Sequence, residues 1–191
     1  MRSDALARSF LAPLNDAQRS RLVAAMSDVE RLLTAATVEI GVLDPAHPHA
    51  RRCVSAYFAE LDRRFESGFD PSVSISADDD ELRPPVGLLL VATLRSEPIG
   101  CGALKFHGTE PTELKRMWVA RSVRGLGIGR RILVELEAEA ARHGSRVVRL
   151  ETNGSLTEAI ALYRSSGYVE VDPFNDEPYA QHWFEKRLMS D

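Results

Sequence analysis

Eight consecutive residues, Arg124-Gly125-Leu126-Gly127-Ile128-Gly129-Arg130-Arg131, are suited by type and spacing to holding an anion. Glycines at alternate positions let the backbone turn tightly and bring its N–H groups against a ligand with no side chain in the way. A helical pattern starts at once, adding open first-turn amides and the positive end of a helix dipole. A pyrophosphate fits that description, and so does a plain glycine turn ahead of a helix. Arg121, Arg124, Arg130 and Arg131 fall within eleven residues that contain no acid, a charge density suited to a small polyanion.

Two familiar phosphate loops do not match. A P-loop needs Lys then Ser or Thr after its last glycine, where this chain has Arg130 and Arg131. A dinucleotide fingerprint needs G-x-G-x-x-G opening the fold, whereas Gly125, Gly127 and Gly129 are evenly spaced and follow several strands.

Other reactive residue types show no comparable pattern. Cys53 and Cys101 lack metal-type spacing and read as free thiols of a reducing compartment. The five histidines, among them His47, His49, His107, His143 and His182, form no ligand set, so no metal is expected. A net charge of -4 argues against nucleic acid as a partner. No apolar run of about 18 residues and no leader or lipidation pattern is found, so the reading is cytoplasmic, without a membrane partner.

The elements that must position the loop follow from periodicity. Residues Asn15 to Leu33 read as a helix, with Asn15 and Gln18 as a capping pair and Leu22, Met26, Val29 and Leu33 as an apolar stripe. A boundary is placed near residue 36, giving a helical extension over 1–36 and a main domain over 37–191. Residues 37–42 alternate as a strand, and Val54, Phe58, Leu61 and Phe65 mark one face of a helix over about 50–66. The stretch from Gly68 to Pro85 holds the acidic run Asp78-Asp79-Asp80-Glu81, a solvated loop or an acceptor wall favouring cationic amines. Gly87 to Leu94 and Ile99 to Phe106 read as a hairpin around Arg95 to Pro98, and Thr112 to Val119 as the next strand. The helix after the glycine loop runs to about His143 with Ile128, Ile132, Leu133, Leu136 and Ala140 inward. Val147 to Thr152 then suits a parallel pairing through a right-handed βαβ crossover. Thr157 to Ser166 is helical, and Tyr168 to Val171 and His182 to Leu188 close the chain as strands. The class is α/β, with a mixed central sheet of six to seven strands, flanking helices and an N-terminal helical extension.

Arg124-x-x-Gly127-x-Gly129 resembles the [QR]-x-x-G-x-[GA] signature of the GNAT superfamily of N-acetyltransferases. Glu113 to Val119 resembles that family's fourth strand, and Ala159-Ile160-Ala161-Leu162-Tyr163-x-x-x-Gly167-Tyr168 resembles its A-I-x-L-Y-x-x-x-G-[FY] segment. The likeness covers roughly residues 37 to 189, and the ending around Pro178-Tyr179-Ala180 and His182-Trp183-Phe184 resembles a bacterial subgroup.

The resemblance implies acetyl-CoA as co-substrate, with a βαβ core that binds it. Met117, Trp118 and Val119 would pair with the pantetheine arm from a splayed strand. Amides of Arg124, Gly125, Leu126, Gly127, Ile128, Gly129 and Arg130 would hold the pyrophosphate. Tyr163 would face the sulfur as general acid or donor, and Glu113 stands where some members keep a general base. The amine must reach the thioester carbon, and an N–H near Met117 would steady the oxyanion. Many relatives carry Asn where this chain has Leu156, and Asn153 is the substitute expected at the cofactor. Trp118 and Trp183 otherwise read as packing residues.

Phe10 to Leu14 followed by Asn15-x-x-Gln18-x-x-x-Leu22 resembles the last helices of MarR-type regulators, without the winged helix that enters DNA. That likeness implies a helix that packs on the transferase or mediates a homodimer; a plain extension and pairing through the sheet are the alternatives. The expected activity is direct acetyl transfer to a primary amine of a small molecule or peptide, with no covalent enzyme intermediate. A noncatalytic acyl-CoA sensor is the rival reading.

Overall fold

The computed structural model describes residues 11–75, 77–108 and 111–188. The chain divides into two compact units, one ending at Thr37 and one beginning at Val38.

In the first unit, helix α1 spans Asp16–Ala36. The Asn15 side chain accepts from the Gln18 amide at 2.9 Å, and the Gln18 side chain accepts from the Asn15 amide at 3.0 Å, a reciprocal capping box. The helix buries no residue, and Met26, Val29, Leu32 and Leu33 are exposed. Phe10, where the regulator likeness begins, lies outside the described residues.

The second unit is one seven-stranded sheet flanked by helices. Its elements are β1 (Glu39–Val42), α2 (Pro48–Arg64), β2 (Gly87–Leu94), β3 (Glu97–Lys105), β4 (Thr112–Val119), α3 (Ile128–Arg142), β5 (Val147–Thr152), α4 (Thr157–Ser165), β6 (Val169–Val171) and β7 (His182–Arg187). The strand order is β1-β2-β3-β4-β5-β7-β6, antiparallel throughout except for β4 beside β5. Because helices cover both faces, β2 is buried on both and its sequence Leu88 to Ala92 is apolar without alternation. Leu88 and Leu90 join the core under α3 and α4, while Leu89 and Val91 join the one under α2. The inward stripe of α3 is the expected one: Ile128, Ile132, Leu133, Leu136 and Ala140 are its buried residues.

The β2–β3 hairpin turns on two residues, Arg95 and Ser96, both with left-handed φ, rather than on four. The second strand therefore starts at Glu97, and Pro98 is accommodated where the register shifts at Ala92 and Thr93.

Two irregularities in β4 shape the site. Opposite β3 the register jumps from Cys101↔Trp118 to Ala103↔Lys115, so Arg116 and Met117 together face Gly102. This is a bulge, and Arg116 adopts a φ of 53°, a conformation that costs a non-glycine residue about 1 kcal/mol or more. On its other edge, β4 pairs with β5 only at Thr112↔Val148 and Glu113↔Arg149. Past Glu113 the two parallel strands separate, while β5 stays paired with β7 along its whole length.

Candidate active site

The parting of β4 from β5 opens a cleft of about 390 Å³. Met117, Trp118 and Val119 form one wall, Ala159 and Leu162 of α4 the other. Its floor is the glycine loop, whose Arg124, Gly125, Gly127, Ile128, Gly129 and Arg130 all line it. Gly125 and Gly127 have left-handed φ of 78° and 76°, so the turn is made by these two. Gly129 is already helical, and its missing side chain serves a different end: a Cβ there would stand 3.4 Å from the Leu162 side chain and 3.6 Å from Val119, between the two walls of the cleft. The helical ladder starts with the Arg131 amide bonding to the Gly127 carbonyl at 3.1 Å, which leaves the preceding amides as an open first turn directed at this floor. Such a cradle fits a pyrophosphate, and its fit rests on backbone geometry.

The arginines turn out to be engaged elsewhere. Arg124 donates to the Val119 carbonyl at 3.0 Å and to both oxygens of Glu60 at 2.7 and 2.6 Å. Arg130 bonds Ser165 and Ser166, and Arg131 reaches the Val38 carbonyl. Leu126 packs against the main core and does not line the cleft. The charged bracket that attracts attention in the sequence thus ties the loop to α2, α4 and the chain before β1.

Glu60 is the residue missing from the sequence reading. It is buried on α2, lines the cleft, and accepts from Arg124, Arg64 and the Trp118 indole. Burial alone would raise its pKa; the bonds from Arg124 and Trp118 outweigh that and hold it below the usual carboxylate range. Arg64 continues the network to the Ser155 carbonyl at 2.6 Å and Glu158 at 2.7 Å, joining α2 to α4. In sequence, Glu60 and Arg64 read as an ordinary solvent-facing i,i+4 pair, so no local signal marks them.

A second cavity, of about 80 Å³, lies beside the first. Tyr57, Leu61 and Leu156 line both, forming the junction. Its apolar wall is a cluster of rings: Phe58 stacks on Phe69 at 5.5 Å, and Tyr179 lies 4.9 Å from Phe69 and 5.5 Å from Phe65. Its polar wall holds Lys115, Arg116, Glu151 and Glu177. Of the stretch from Gly68 to Pro85, Phe69, Ser74 and Ile75 reach this cavity. The acidic run does not: Asp80 pairs with Arg83, Glu81 with Lys105 at 2.9 Å, and Asp79 is exposed, 3.8 Å from Arg116.

Three expected site residues stand elsewhere than expected. Glu113 lines neither cavity, and its carboxylate is taken by Arg149 at 2.8 Å, Lys115 at 3.2 Å and His107 at 3.6 Å. Burial would raise its pKa, but Lys115 and Arg149 outweigh that and lower it, which disfavours a base. Asn153 lines the second cavity instead of the glycine-floored cleft, spending its amide on the Tyr179 carbonyl and its oxygen on the Ser155 amide. Tyr163 lines neither cavity; its ring is buried against Tyr168 and Phe184. Burial and the charge of Glu151 push its phenol well above the ordinary range, and Tyr163 in turn helps raise Tyr57. No cluster of metal-ligating side chains occurs among the described residues.

The model of an acetyltransferase (GNAT) domain matches residues 85–170, from β2 through β6. An IAA acetyltransferase of Azospirillum brasilense is 37% identical over 122 residues, 63% of this chain and 78% of that protein. An uncharacterized N-acetyltransferase of Schizosaccharomyces pombe is 30% identical over 132 residues, 63% and 80% of the two chains. A GNAT acetyltransferase of Elizabethkingia anophelis, solved with acetyl-CoA bound, shares the fold at a TM-score of 0.60 and 20% identity, over 80% of this chain and 99% of that one. The splayed strands, the glycine cradle at their opening and these likenesses agree: the chain belongs to the GNAT family of N-acetyltransferases.

Proposed function

We propose that the protein transfers an acetyl group from acetyl-CoA directly to the primary amine of a small acceptor. The observation that carries this is the separation of β4 from β5 past Glu113, which opens a cleft floored by the glycine cradle and ending at a second, polar cavity. The pyrophosphate would rest on the amides of Gly125 to Arg130, and the pantetheine arm would run along Met117, Trp118 and Val119. That puts the thioester at the junction walled by Tyr57 and Leu156.

In this reading the amine nitrogen attacks the thioester carbon, the C–S bond breaks, the nitrogen loses a proton and the thiolate gains one. An amide in the bulged segment near Met117 steadies the oxyanion, a preorganised donor of the type that contributes most to acyl transfer. This reading keeps Tyr163 as donor of the thiolate proton: the phenol is protonated at neutral pH, and burial and Glu151 make it a weaker acid than a free one. Glu113 is left a structural role. The buried free thiols suit a cytoplasmic protein, and the exposed stripe of α1 suits a homodimer, which sedimentation of α1-truncated and full-length protein would check.

Incubating the protein with acetyl-CoA and a panel of amines, and following free thiol together with the mass of the product, tests the assignment. Stoichiometric acetylated amine and CoA are expected. Binding of acetyl-CoA without any amine-dependent thiol release would overturn it.

A further inference from the structure

Four charged side chains are buried around the second cavity, and two of them keep a polar atom without a partner among the described residues. Lys115 is 7% exposed and is paired with two carboxylates: it bonds Glu151 Oε1 and lies 3.2 Å from Glu113. Glu177 is also used, accepting from the Ser74 hydroxyl at 2.9 Å, the Ile75 amide at 2.6 Å and the Tyr179 amide at 3.2 Å. It latches the two loops that close the cavity. The other two are incomplete. Glu151 Oε2 is buried with no hydrogen-bond partner among the described residues, and so is Arg116 Nε. Both side chains are more than nine-tenths buried, at 9% and 8% exposure.

Arg116 is the more telling of the two. It sits at the bulge with φ of 53°, a strained backbone that turns its side chain into the cavity, and strain of this kind persists where the surroundings enforce it. Its guanidinium bonds the Ala77 carbonyl and lies 5.4 Å over the Phe58 ring. Its nearest carboxylate, Asp79, is 3.8 Å away and half exposed. A buried guanidinium is stable only when its charge is matched, and here the match inside the protein is weak. A planar fork with a donor to spare is also the group that reads carboxylates best.

We propose that the acceptor is a free amino acid with an apolar or aromatic side chain, its carboxylate held by Arg116, its amino group by Glu151 Oε2 and its side chain among Phe58, Phe69 and Tyr179. A cavity of about 80 Å³ takes the polar head while the side chain lies across the rings of Phe58, Phe69 and Tyr179. A cationic amine with no carboxylate would leave Arg116 unmatched. This inference rests on the acetyltransferase reading and names the substrate class of that site.

The test uses matched acceptors with the full chain and acetyl-CoA: phenylalanine against phenylalaninamide and phenethylamine, and leucine against leucinamide, with thiol release as the readout. The carboxylate-bearing member of each set is expected to have a kcat/KM roughly ten- to a hundredfold higher, the scale of one hydrogen bond to a charged group. Arg116→Gln should bring that ratio toward one, and Arg116→Lys, which keeps the charge but not the fork, should restore part of it. Retained stabilisation by acetyl-CoA shows that each variant is folded; should both Arg116 variants misfold, Glu151→Gln takes their place and should raise KM several-fold for every acceptor of the set, an unchanged KM overturning the inference. Equal or better turnover of the amides and the decarboxylated amine overturns the inference while leaving acetyl transfer intact. If no amine is turned over, the acetyltransferase reading fails first. Calorimetric titration with phenylalanine and phenethylamine then decides the inference separately: tighter binding of phenylalanine supports it, and equal or absent binding overturns it.

Discussion

The glycine-floored cleft and the cavity proposed for the acceptor share a wall at Tyr57, Leu61 and Leu156, yet they are built by opposite means. The cleft is mostly backbone: the bulged and splayed end of β4, the turn at Gly125 and Gly127, and the first turn of α3, all within residues 112–131. The acceptor cavity is side chains from α2, the loop around Phe69 to Ile75, β4, β5 and the loop around Glu177 to Ala180. Recognition by backbone tolerates side-chain change as long as the turn survives, and it suits a ligand common to a whole family. Recognition by converging side chains can be rewritten one residue at a time, which suits a variable acceptor.

The sharpest way to break that contrast is to put bulk into the cradle. Gly129→Trp is compatible with the helical backbone but fills the space 3.4 Å from Leu162, so acetyl-CoA affinity should fall more than a hundredfold with little change in melting temperature. Gly127→Ala should behave in the reverse manner. Nothing lies within 4 Å of its Cβ position, but its φ of 76° strains any side chain, so about 1 kcal/mol of stability goes and the cofactor still binds. Calorimetric titration with CoA beside thermal melts reads both. If both variants lost affinity and stability together, cradle and fold would be one unit and the contrast would dissolve.

Next in size is Tyr163→Phe, expected to lower kcat by about a hundredfold while leaving acetyl-CoA affinity within a factor of about three. The phenol of Tyr57 forms the visible wall of both cavities, so Tyr57→Phe is the control. A larger kcat loss there would hand the proton to Tyr57.

Glu113→Gln sharpens the comparison from the other side, because Glu113 belongs to neither region. Turnover should stay within about twofold, whereas stability should fall by about 2 kcal/mol, as the change breaks a partly buried set of pairs with Lys115 and Arg149. The pH dependence carries the same signature. Glu113 and Glu60 both have folded-state pKa values lowered from 4.5, so their contribution to stability is complete above about pH 4.5 and is lost as the pH falls through their lower folded values. The acid limb of a denaturation series for Glu113→Gln should accordingly be shallower than for the parent. Loss of turnover with an unchanged melt would restore the base.

What the sequence reveals divides along the same line. The strand ends, the stripe of α3 and the glycine loop depend on residues close in the chain, where periodicity and turn chemistry speak directly. The splay of β4 from β5 is invisible in either strand alone. Glu60 looks like a surface acid because its partners, Arg124 and Trp118, are 64 and 58 residues away. Arg124 shows the converse error: adjacency to glycines suggests a phosphate ligand, but a buried carboxylate brought in by α2 claims it. The second cavity draws on Phe69 and Tyr179, whose loops are joined by the bond between Asp70 and Tyr179, 109 residues apart, and no local pattern encodes that meeting.

The smallest effect is predicted where the sequence looks most suggestive. Asp78 to Glu81 reads as an acidic wall for cationic acceptors, yet Asp80 is spent on Arg83 and Glu81 on Lys105, at the surface and away from the cavity lining. Exposed pairs of this kind contribute up to about 1 kcal/mol and are screened by salt. The double change Asp80→Asn, Glu81→Gln should therefore move acceptor KM by less than about twofold at physiological ionic strength, for cationic and zwitterionic amines alike. A selective several-fold rise in KM for cationic amines that vanishes in high salt would show that long-range charge from this loop steers the acceptor, and would add a field to a cavity otherwise explained by contact.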